Sequence, residues 1–406
     1  MAKLEFKDLK FVEEKDKVKV FFLKNYFFWL DKEDLAKIGK FKVQEYSMIF
    51  DASEKSAHNK FNLLLQKGFD GLTNSLTGKK TVYIHKNSGI PLVGSNEFGI
   101  VDRGTSCIEV KPLTGCNLNC VFCSVNEGDN QKKFDFVVEK DYLVEEFENV
   151  AKIKKHPVEA HINTQGEPLL YARLAELVEG LSNVKNVNVV SIDTNATFLN
   201  KTLIDLLDKA GLTRLNISLN ALDQKLCNEL AGKPYNVNHI LKMVDYCKKN
   251  TKIDVLLAPI IVPGLNESEI EPLIKLSLDK KLGFGDVKIG FQNFLNYKRG
   301  RNPVKQRSFE EFYDLLGKYE KTLGVKLKLT LDGDFGICKD VALEKPFKKG
   351  DVVSTVVISP ARFANEWLAV AKDRVITVKI LDAVVGKKIK VKLTRSKHNI
   401  FYGLLV

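Results

Sequence analysis

The sequence predicts an α/β protein whose core is a partial (β/α)6 barrel of the TIM type, flanked by an N-terminal mixed α/β extension and a small C-terminal antiparallel β-barrel. From Cys107 to about Thr330, short apolar strands alternate with amphipathic helices. Beyond Lys345, five short strand-like segments are separated by turn residues, which is typical of small closed barrels. We therefore expect three domains, with the boundaries 1–105, 106–340 and 345–406.

The first domain mixes both kinds of element. KVKVFFL, at residues 17–23, alternates as a strand does, and TVYIHK, at 81–86, is strand-like again. Between them, residues 56–69 carry apolar side chains at helical spacing. This domain contains no cysteine.

The core is predicted from six strands, each followed by a helical pattern. In the sequence they read CIEVKPL, EAHINTQG, NVNVVSIDT, RLNISLNAL, IDVLLAPIIV and DVKIGFQNF. This alternation predicts a parallel sheet with right-handed crossovers. In such barrels the chemistry lies at the carboxyl ends of the strands.

Composition and charge indicate the compartment and one partner. The 406 residues carry 63 Lys and Arg against 51 Asp and Glu, and no apolar run approaches the length that spans a bilayer. The N-terminus does not resemble a secretory signal, so we expect a cytoplasmic protein with no membrane role. From Lys345 to Val406 there are thirteen basic and four acidic residues, a net charge of +9. Such a segment attracts polyanions, although a solvated lysine-rich surface is an alternative interpretation.

The motif TGCNLNCVFCS places Cys116, Cys120 and Cys123 at the spacing C-x3-C-x2-C, directly after the first core strand. A structural zinc site needs four ligands, and no second pair follows. A four-iron cluster is normally held by four thiolates, so three leave one iron open to a ligand that is not protein. These three cysteines are the predicted metal ligands.

The motif, with Phe122 before the last cysteine, resembles the signature of the radical S-adenosylmethionine (SAM) enzymes. The resemblance implies a [4Fe-4S] cluster whose open iron binds the amino and carboxylate groups of SAM. It also implies a low-potential electron donor, because one electron cleaves SAM to a 5′-deoxyadenosyl radical that abstracts hydrogen from the substrate. The cofactor then carries the difficult chemistry.

The same resemblance implies the SAM contacts, which fall at strand ends. The turn QGEP departs from the Gly-Gly-Glu-Pro of that family at its first position, and the fifth strand has an apolar segment of the kind that lies against adenine. Helix caps and an ordinary turn are the alternative interpretations. The implied cofactor residues are Phe122, Gln165, Gly166, Glu167, Pro168, Ser191, Asp193, Thr194, Asn195, Asn216, Ser218, Ile261 and Pro263.

The C-terminal segment resembles a TRAM domain, a small RNA-binding barrel attached to several tRNA-modifying enzymes. A basic stretch after the sixth core strand is expected on the catalytic side, where it binds a phosphate or, alternatively, caps a surface turn. Trp367 and Tyr402 are candidate stacking residues or, alternatively, core. The candidate RNA-binding residues are Lys298, Arg299, Arg301, Lys387, Lys388, Lys390, Lys392, Arg395 and Lys397.

These observations together predict a radical SAM enzyme that modifies RNA, either tRNA or rRNA. A radical enzyme acting on a peptide or small metabolite, and a non-catalytic RNA-binding protein with a structural cluster, are the alternatives. Cys107 and Cys338 loosely resemble the catalytic thiols of the radical RNA adenosine methyltransferases, although a structural role is the default interpretation of both. We also expect removal of residues 345–406 to leave the cluster and cofactor cleavage intact.

Overall fold

The computed structural model describes all of residues 1–406. Two sheets form the N-terminal part, with the orders β1-β6-β5 and β12-β8-β7-β4-β3-β2, where β12 is the later strand Phe134–Val138, and α2 packs Phe61 and Leu65 against them. The predicted strands and helix of this part are present within two residues of their expected bounds. The elements are β1 Ala2–Glu5, β2 Leu9–Glu13, β3 Lys17–Phe22, β4 Tyr26–Asp31, α1 Lys32–Ala36, β5 Phe41–Gln44, β6 Ser47–Phe50, α2 Glu54–Phe69, β7 Thr73–Asn74 and β8 Lys80–Ile84.

The core sheet has the order β9-β10-β13-β15-β16-β17, in which the last five strands run parallel and β9 is antiparallel. Neither edge strand closes on the other, so the barrel is partial. The elements are β9 Gly99–Asp102, β10 Cys107–Lys111, β11 Thr114–Gly115, β12 Phe134–Val138, α3 Lys140–Ala151, β13 Val158–Ile162, β14 Gln165–Gly166, α4 Leu174–Ser182, β15 Val187–Thr194, α5 Lys201–Lys209, β16 Arg214–Ile217, α6 Gln224–Ala231, α7 Val237–Asn250, β17 Asp254–Leu257, β18 Ile260–Ile261, α8 Ile270–Asp279, β19 Gln292–Asn293, α9 Phe309–Leu323 and α10 Leu331–Phe335.

The sixth predicted core strand is reduced to fragments. One parallel bridge joins Leu257 to Ile289, and β18 pairs with β19. Two glycines, Gly283 and Gly285, precede this strand with positive φ angles, so the chain turns sharply just before it. This sixth segment therefore supplies residues at the carboxyl end of the core sheet but adds no full strand to it.

Strand β12 joins the core to the N-terminal sheet, a connection that the alternation of strands and helices does not predict. It follows the cysteine motif, yet it pairs in parallel with β8 rather than with β10. Phe136, Val137 and Val138 are fully buried, as is the carboxylate of Asp135. The first βα unit thus passes through a second sheet before its helix begins.

The C-terminal segment forms a closed five-stranded barrel in the order β20-β21-β22-β24-β23. The prediction of a purely antiparallel barrel is wrong at one seam, because β22 and β24 pair in parallel. A parallel pair requires a crossover connection, and here that connection runs through β23. The strands are β20 Val352–Pro360, β21 Glu366–Ala371, β22 Arg374–Lys379, β23 Lys388–Arg395 and β24 Tyr402–Leu405.

This barrel is bound to the rest of the chain by backbone and buried charge. The backbone N–H of Val375 donates to Val93 O at 2.9 Å, and that of Phe401 donates to Gly94 O at 3.0 Å. A Cβ atom added at Gly94 would lie 2.2 Å from Val375 O, so only glycine permits this approach. The two parts share a densely packed boundary.

The strongest link is Arg362, in the β20–β21 loop, which is completely buried. Its guanidinium lies 2.7 Å from a Glu127 carboxylate oxygen and 3.5 Å from one of Asp135, and it donates to Gln165 Oε1 at 3.0 Å. These contacts argue against the expectation that removal of residues 345–406 leaves the cluster and cofactor cleavage intact, which stays a prediction. Their loss would leave two buried carboxylates without this counter-ion.

No helix of the structure is both long enough and apolar enough to cross a bilayer.

Replacing Arg362 tests this link. Arg362→Met keeps much of the side-chain volume but removes the charge facing Glu127 and Asp135, so we expect a loss of about 3–5 kcal/mol in the free energy of unfolding. The measurement is chemical denaturation of the full chain.

The matched control is Lys379→Ala, a change at an exposed residue of the same barrel. It should alter stability by no more than about 0.5 kcal/mol. Equal unfolding midpoints for the two variants would contradict the role given to Arg362.

Candidate functional site

A cavity of about 300 Å³ opens at the carboxyl ends of the core strands. The loop after β10, the turn after β13, the end of β15 and the residue after β16 all reach it, as expected for parallel strands whose ends share one edge. Ten of the residues predicted from the sequence line the cavity: Cys116, Cys120, Phe122, Cys123, Gly166, Glu167, Asp193, Thr194, Asn195 and Ser218.

The cysteine loop rests on the end of α6. Its backbone N–H groups at Asn119 and Val121 donate to Ala231 O at 2.9 Å and Leu230 O at 3.0 Å. Gly232 ends that helix with φ +62°, and a Cβ there would lie 2.3 Å from Asn119 O. Glycine thus lets the loop lie directly on the helix end.

Arg301 holds the same loop from the other side. Its guanidinium donates to Cys120 O at 3.0 Å and to Asn126 Oδ1 at 2.7 Å, and it also contacts the backbone and side-chain oxygens of Asn119. These bonds use N–H groups on all three nitrogens of the guanidinium. The prediction that Arg301 binds RNA phosphate is therefore wrong, because it positions the cysteines instead.

The three thiols are free and partly exposed to the cavity. Burial raises the pKa of Cys120 to about 12 and that of Cys116 well above its ordinary value, so both stay protonated until a metal displaces the proton. No three His, Cys, Asp or Glu side chains converge on one point as ligands of a single ion do. In a four-iron cube each thiolate binds a different iron, which suits three cysteines spread around one cavity.

The turn after β13 approaches the cysteine loop closely. Strands β11 and β14 pair in parallel, and a Cβ added at Gly166 would lie 2.1 Å from Gly115 O. Any side chain at residue 166 would push the two backbones apart. Pro168 is buried at the start of the 3-10 helix that follows and does not line the cavity.

Glu167 braces two strand ends. It is buried, and its carboxylate accepts hydrogen bonds from Leu169 N at 3.0 Å, Thr194 Oγ1 at 2.6 Å and Asn195 N at 2.8 Å. Burial raises its pKa to about 7, although these hydrogen bonds act in the opposite direction. Glu167 therefore holds the turn against β15 while one edge of it faces the cavity.

The departure from the family motif at Gln165 has a structural explanation. The Gln165 amide donates from Nε2 to Asn96 O at 3.2 Å, and its Oε1 accepts from Arg362 at 3.0 Å. A glycine would make neither bond. Gln165 does not line this cavity but ties the turn to the C-terminal barrel.

Asp193, at the end of β15, is oriented by a buried polar network. His161 Nε2 lies 3.2 Å from one carboxylate oxygen, and Asn216 Nδ2 donates to the other at 2.8 Å. Burial acts against the charge, but His161 holds the pKa of Asp193 below its ordinary value. Ser191 lies deeper and donates to Glu159 at 2.5 Å. Ser191 and Asn216 do not line the cavity, so the structure does not support direct cofactor contacts for them.

The apolar segment after β17 reaches the cavity through Ile260, whereas Ile261 and Pro263 do not line it. Ile261 is fully buried on the opposite side of the short β18 ladder. A one-residue shift of register reverses which side chain faces the site.

Sequence reasoning missed Tyr235, which lines the cavity and donates from its hydroxyl to Asn195 O at 2.9 Å. It lies in the short connection between α6 and α7, where no motif or periodicity indicates a site. Its contact follows from helix packing.

Comparison with known sequences indicates the protein family of the core. An uncharacterized protein of Methanocaldococcus jannaschii is 40% identical over 371 residues, which is 85% of each chain. The family model of the radical SAM superfamily matches residues 110–277, the segment that carries the cysteine loop and the strand ends described above. Residues 110–277 form a radical SAM superfamily domain.

More distant similarities cover parts of the chain. The GTP 3′,8-cyclase of Listeria monocytogenes is 31% identical over 193 residues, which is 46% of this chain and 54% of the cyclase. The chain thus spans about half the length of that relative. Among solved structures, Streptococcus suis SuiB bound to S-adenosylmethionine aligns with a TM-score of 0.43 at 16% identity, covering 80% of this chain and 72% of SuiB.

Radical SAM proteins use a [4Fe-4S] cluster and SAM, and the residues around the cavity fit both. Three free thiols would hold the cluster, and the polar strand ends at Asp193 and Asn195 would face SAM. When bound, this pair supplies the reductive cleavage of SAM. The protein itself would hold the cysteine loop in position through Arg301, and the apolar side chains that line the cavity would exclude water from it.

The structure does not bring Cys107 and Cys338 to this cavity. Cys107 begins β10 and therefore lies at its amino end, opposite the cysteine loop. Cys338 lies beside it, since its backbone N–H donates to Ser106 Oγ at 3.1 Å. Burial raises the pKa of Cys107, which disfavours a reactive thiolate. Their catalytic role remains a prediction that the geometry does not support.

The cysteine assignment is tested by substitution. Alanine at Cys116, Cys120 or Cys123 should each remove the cluster and with it SAM cleavage, because two thiolates cannot hold the cube in place. Anaerobic reconstitution, iron counting and measurement of 5′-deoxyadenosine provide the readouts.

Cys247→Ala is the matched control, since this buried thiol lies in α7 and does not line the cavity. It should keep full iron content and cleavage. A complete cluster in Cys120→Ala would disprove the ligand set.

Proposed function

We propose that the protein is a radical SAM enzyme that modifies RNA, either tRNA or rRNA, with electrons from a low-potential donor. One observation carries the substrate class. A stripe of lysines without acidic partners on the C-terminal barrel leads to a cleft. The cleft adjoins the cavity at the strand ends, named here the SAM cavity. The enzyme chemistry belongs to the superfamily, whereas the RNA substrate is inferred from this surface.

The stripe consists of Lys388, Lys390 and Lys392 on β23. All three are exposed, while Val391 and Leu393 between and beyond them point into the barrel core. Across the ladder these lysines face Val356, Ser354 and Val352 of β20, and no ion pair reaches any of the three. A row of uncompensated cations along one strand is suited to a phosphate backbone.

The stripe continues to the cleft through Arg395, which pairs with Tyr402 across the β23–β24 ladder. Both residues line the cleft. The cleft shares five wall residues with the SAM cavity, namely Ser124, Val125, Asn163, Thr164 and Tyr297. A strand held on the stripe could therefore place one nucleotide beside the cavity.

The other candidate RNA residues differ in their surroundings. Lys387, Lys397 and Lys298 are exposed and make no ion pair. Arg299 is paired with Glu366 and lies 4.1 Å from the centre of the Phe363 ring, so it braces the barrel and is not free for phosphate. Trp367 is half-buried within β21 and does not line the cleft.

A second candidate substrate is a free nucleotide. It is favoured by the similarity of the core to GTP 3′,8-cyclases, which by name act on GTP. That substrate would use the cavity and cleft without the lysine stripe. The stripe is thus the feature that separates the two candidates.

The decisive experiment compares total RNA from cells with and without the gene. Nucleoside mass spectrometry should show one modified nucleoside missing from the deletion strain and restored by the wild-type gene. The Cys120→Ala gene should not restore it. An unchanged nucleoside profile would disprove RNA modification and favour the free nucleotide.

The stripe itself is tested by replacing Lys388, Lys390 and Lys392 together with alanine. Affinity falls as salt rises, and each lost phosphate contact should make the slope of log affinity against log salt less steep by about 0.7 for single strands. The triple variant should therefore reduce the steepness by about 2. The loss should be nearly equal across RNA sequences, because phosphate contacts do not read bases. Titration of labelled RNA at three salt concentrations measures it.

The control replaces Lys242, Lys248 and Lys249 of α7, which are also exposed and unpaired. It removes the same net charge on the outer helical layer. A salt slope that changes equally in both triple variants would show that net charge alone, and not the stripe, attracts RNA.

A further inference from the structure

The cleft next to the SAM cavity has chemistry of its own. It encloses about 690 Å³ between the core sheet and the C-terminal barrel. The loop after Gly94 supplies Asn96 and Glu97, and the barrel supplies Phe363, Arg395 and Tyr402. The superfamily match covers none of these five residues, because it ends at residue 277 and begins at residue 110.

Buried acceptors without partners line this cleft. Glu97 is 3% exposed, and its Oε2 atom has no hydrogen-bond donor. Asn96 Oδ1 and Thr164 Oγ1 are likewise buried and unpartnered. Buried polar atoms in folded proteins are nearly always hydrogen-bonded, so an unpartnered one calls for an explanation. All three residues line the cleft, and the Asn96 and Glu97 oxygens can only accept, so a ligand with hydrogen-bond donors would satisfy them.

This wall is held in place from behind. The backbone N–H of Glu97 donates to Ser95 Oγ at 3.0 Å, and Asn96 O accepts from the Gln165 amide at 3.2 Å. Gln165 is in turn bonded to Arg362. The acceptors are therefore anchored to the same turn that approaches the cysteine loop.

Two of the cationic side chains that line the cleft make no ion pair. Within the cleft, Arg103 and Lys111 both pair with Glu109, and Arg299 pairs with Glu366. Lys298 and Arg395 line the cleft and have no acidic partner. Aromatic rings complete the lining at Tyr297, Phe363 and Tyr402.

A ligand that fits this cleft has N–H donors for the buried carboxylate, a flat ring for the aromatic side chains and phosphate groups for the cations. A nucleotide has all three. Enzymes that act on RNA bases read an unstacked base through its Watson–Crick edge and by stacking. We propose that this cleft binds one nucleotide of the RNA, with Glu97 and Asn96 accepting hydrogen bonds from the base and Lys298 and Arg395 contacting its phosphates. The proposal rests on the proposed function and names the residues that select the nucleotide.

The geometry of a carboxylate also selects the base. Its two oxygens accept two parallel N–H groups, and guanine presents N1–H and N2–H side by side. Adenine, cytosine and uracil each place fewer donors at that edge. Guanine is therefore the expected base.

The test uses the reconstituted full chain and fluorescein-labelled ten-residue oligouridylates with one central G, A, C, inosine or U. Wild type should bind the central-G probe about tenfold more tightly than the all-U probe. Inosine lacks the N2 amino group, so it should lose most of that gain. This comparison needs no variant and is independent of any effect on folding.

Glu97→Gln should reduce the preference for G over U to within about twofold, because its amide N–H₂ opposes the donors of the base. Lys298→Ala combined with Arg395→Ala should weaken all five probes by a similar factor of about five to ten.

The outcomes separate this proposal from the function on which it rests. An identical base profile in wild type and Glu97→Gln, or equal binding of G and inosine by wild type, would overturn the base-reading role while leaving RNA modification intact. Failure of wild type to bind any of the RNA probes, together with an unchanged nucleoside profile in the deletion strain, would overturn both.

Discussion

The buried guanidinium of Arg362 is the contact on which the arrangement of this protein depends. It comes from the C-terminal barrel, yet its partners are Glu127 after the cysteine loop, Asp135 on the strand that joins the N-terminal sheet, and Gln165 in the cofactor turn. Lys132 adds a second buried cation 2.9 Å from Glu127. Charges in such a place persist only when all of them are paired, so the three parts of the chain constrain one another.

That constraint explains how a small barrel can form a defined surface beside the cavity. A barrel attached by a linker would move relative to the SAM cavity, and residues between the two could not form a defined surface. Here the barrel is joined through Gly94, Arg362 and Gln165, so the cleft between barrel and core has fixed walls. Its unpaired acceptors and cations then lie at set positions beside the cavity, as selective binding requires.

The cavity itself shows a division between residues that face it and residues that hold those in position. Asp193 faces the cavity, but His161 and Asn216 orient it. The cysteines line the cavity, but Arg301 and the end of α6 hold their loop. Glu167 and Gly166 keep the turn close to that loop. Substitution of a holding residue is therefore expected to disturb the chemistry without contacting any reacting atom.

The sequence by itself determined the alternation of strands and helices, the closed C-terminal barrel, the cysteine loop and its family, because these depend on local periodicity and on motifs of a few residues. It did not determine which side chains turn toward the cavity. Ser191 and Asn216 occupy motif positions yet lie deeper in the sheet, because each comes two residues before Asp193 or Ser218, which line the cavity. Ile261 is turned away by the register of β18. It also did not separate Arg301 and Arg299, which support structure, from Lys298 and Arg395, which are free. Only tertiary structure decided that difference, because whether a cation is available depends on acceptors far away in the chain, such as Asn119 and Glu366.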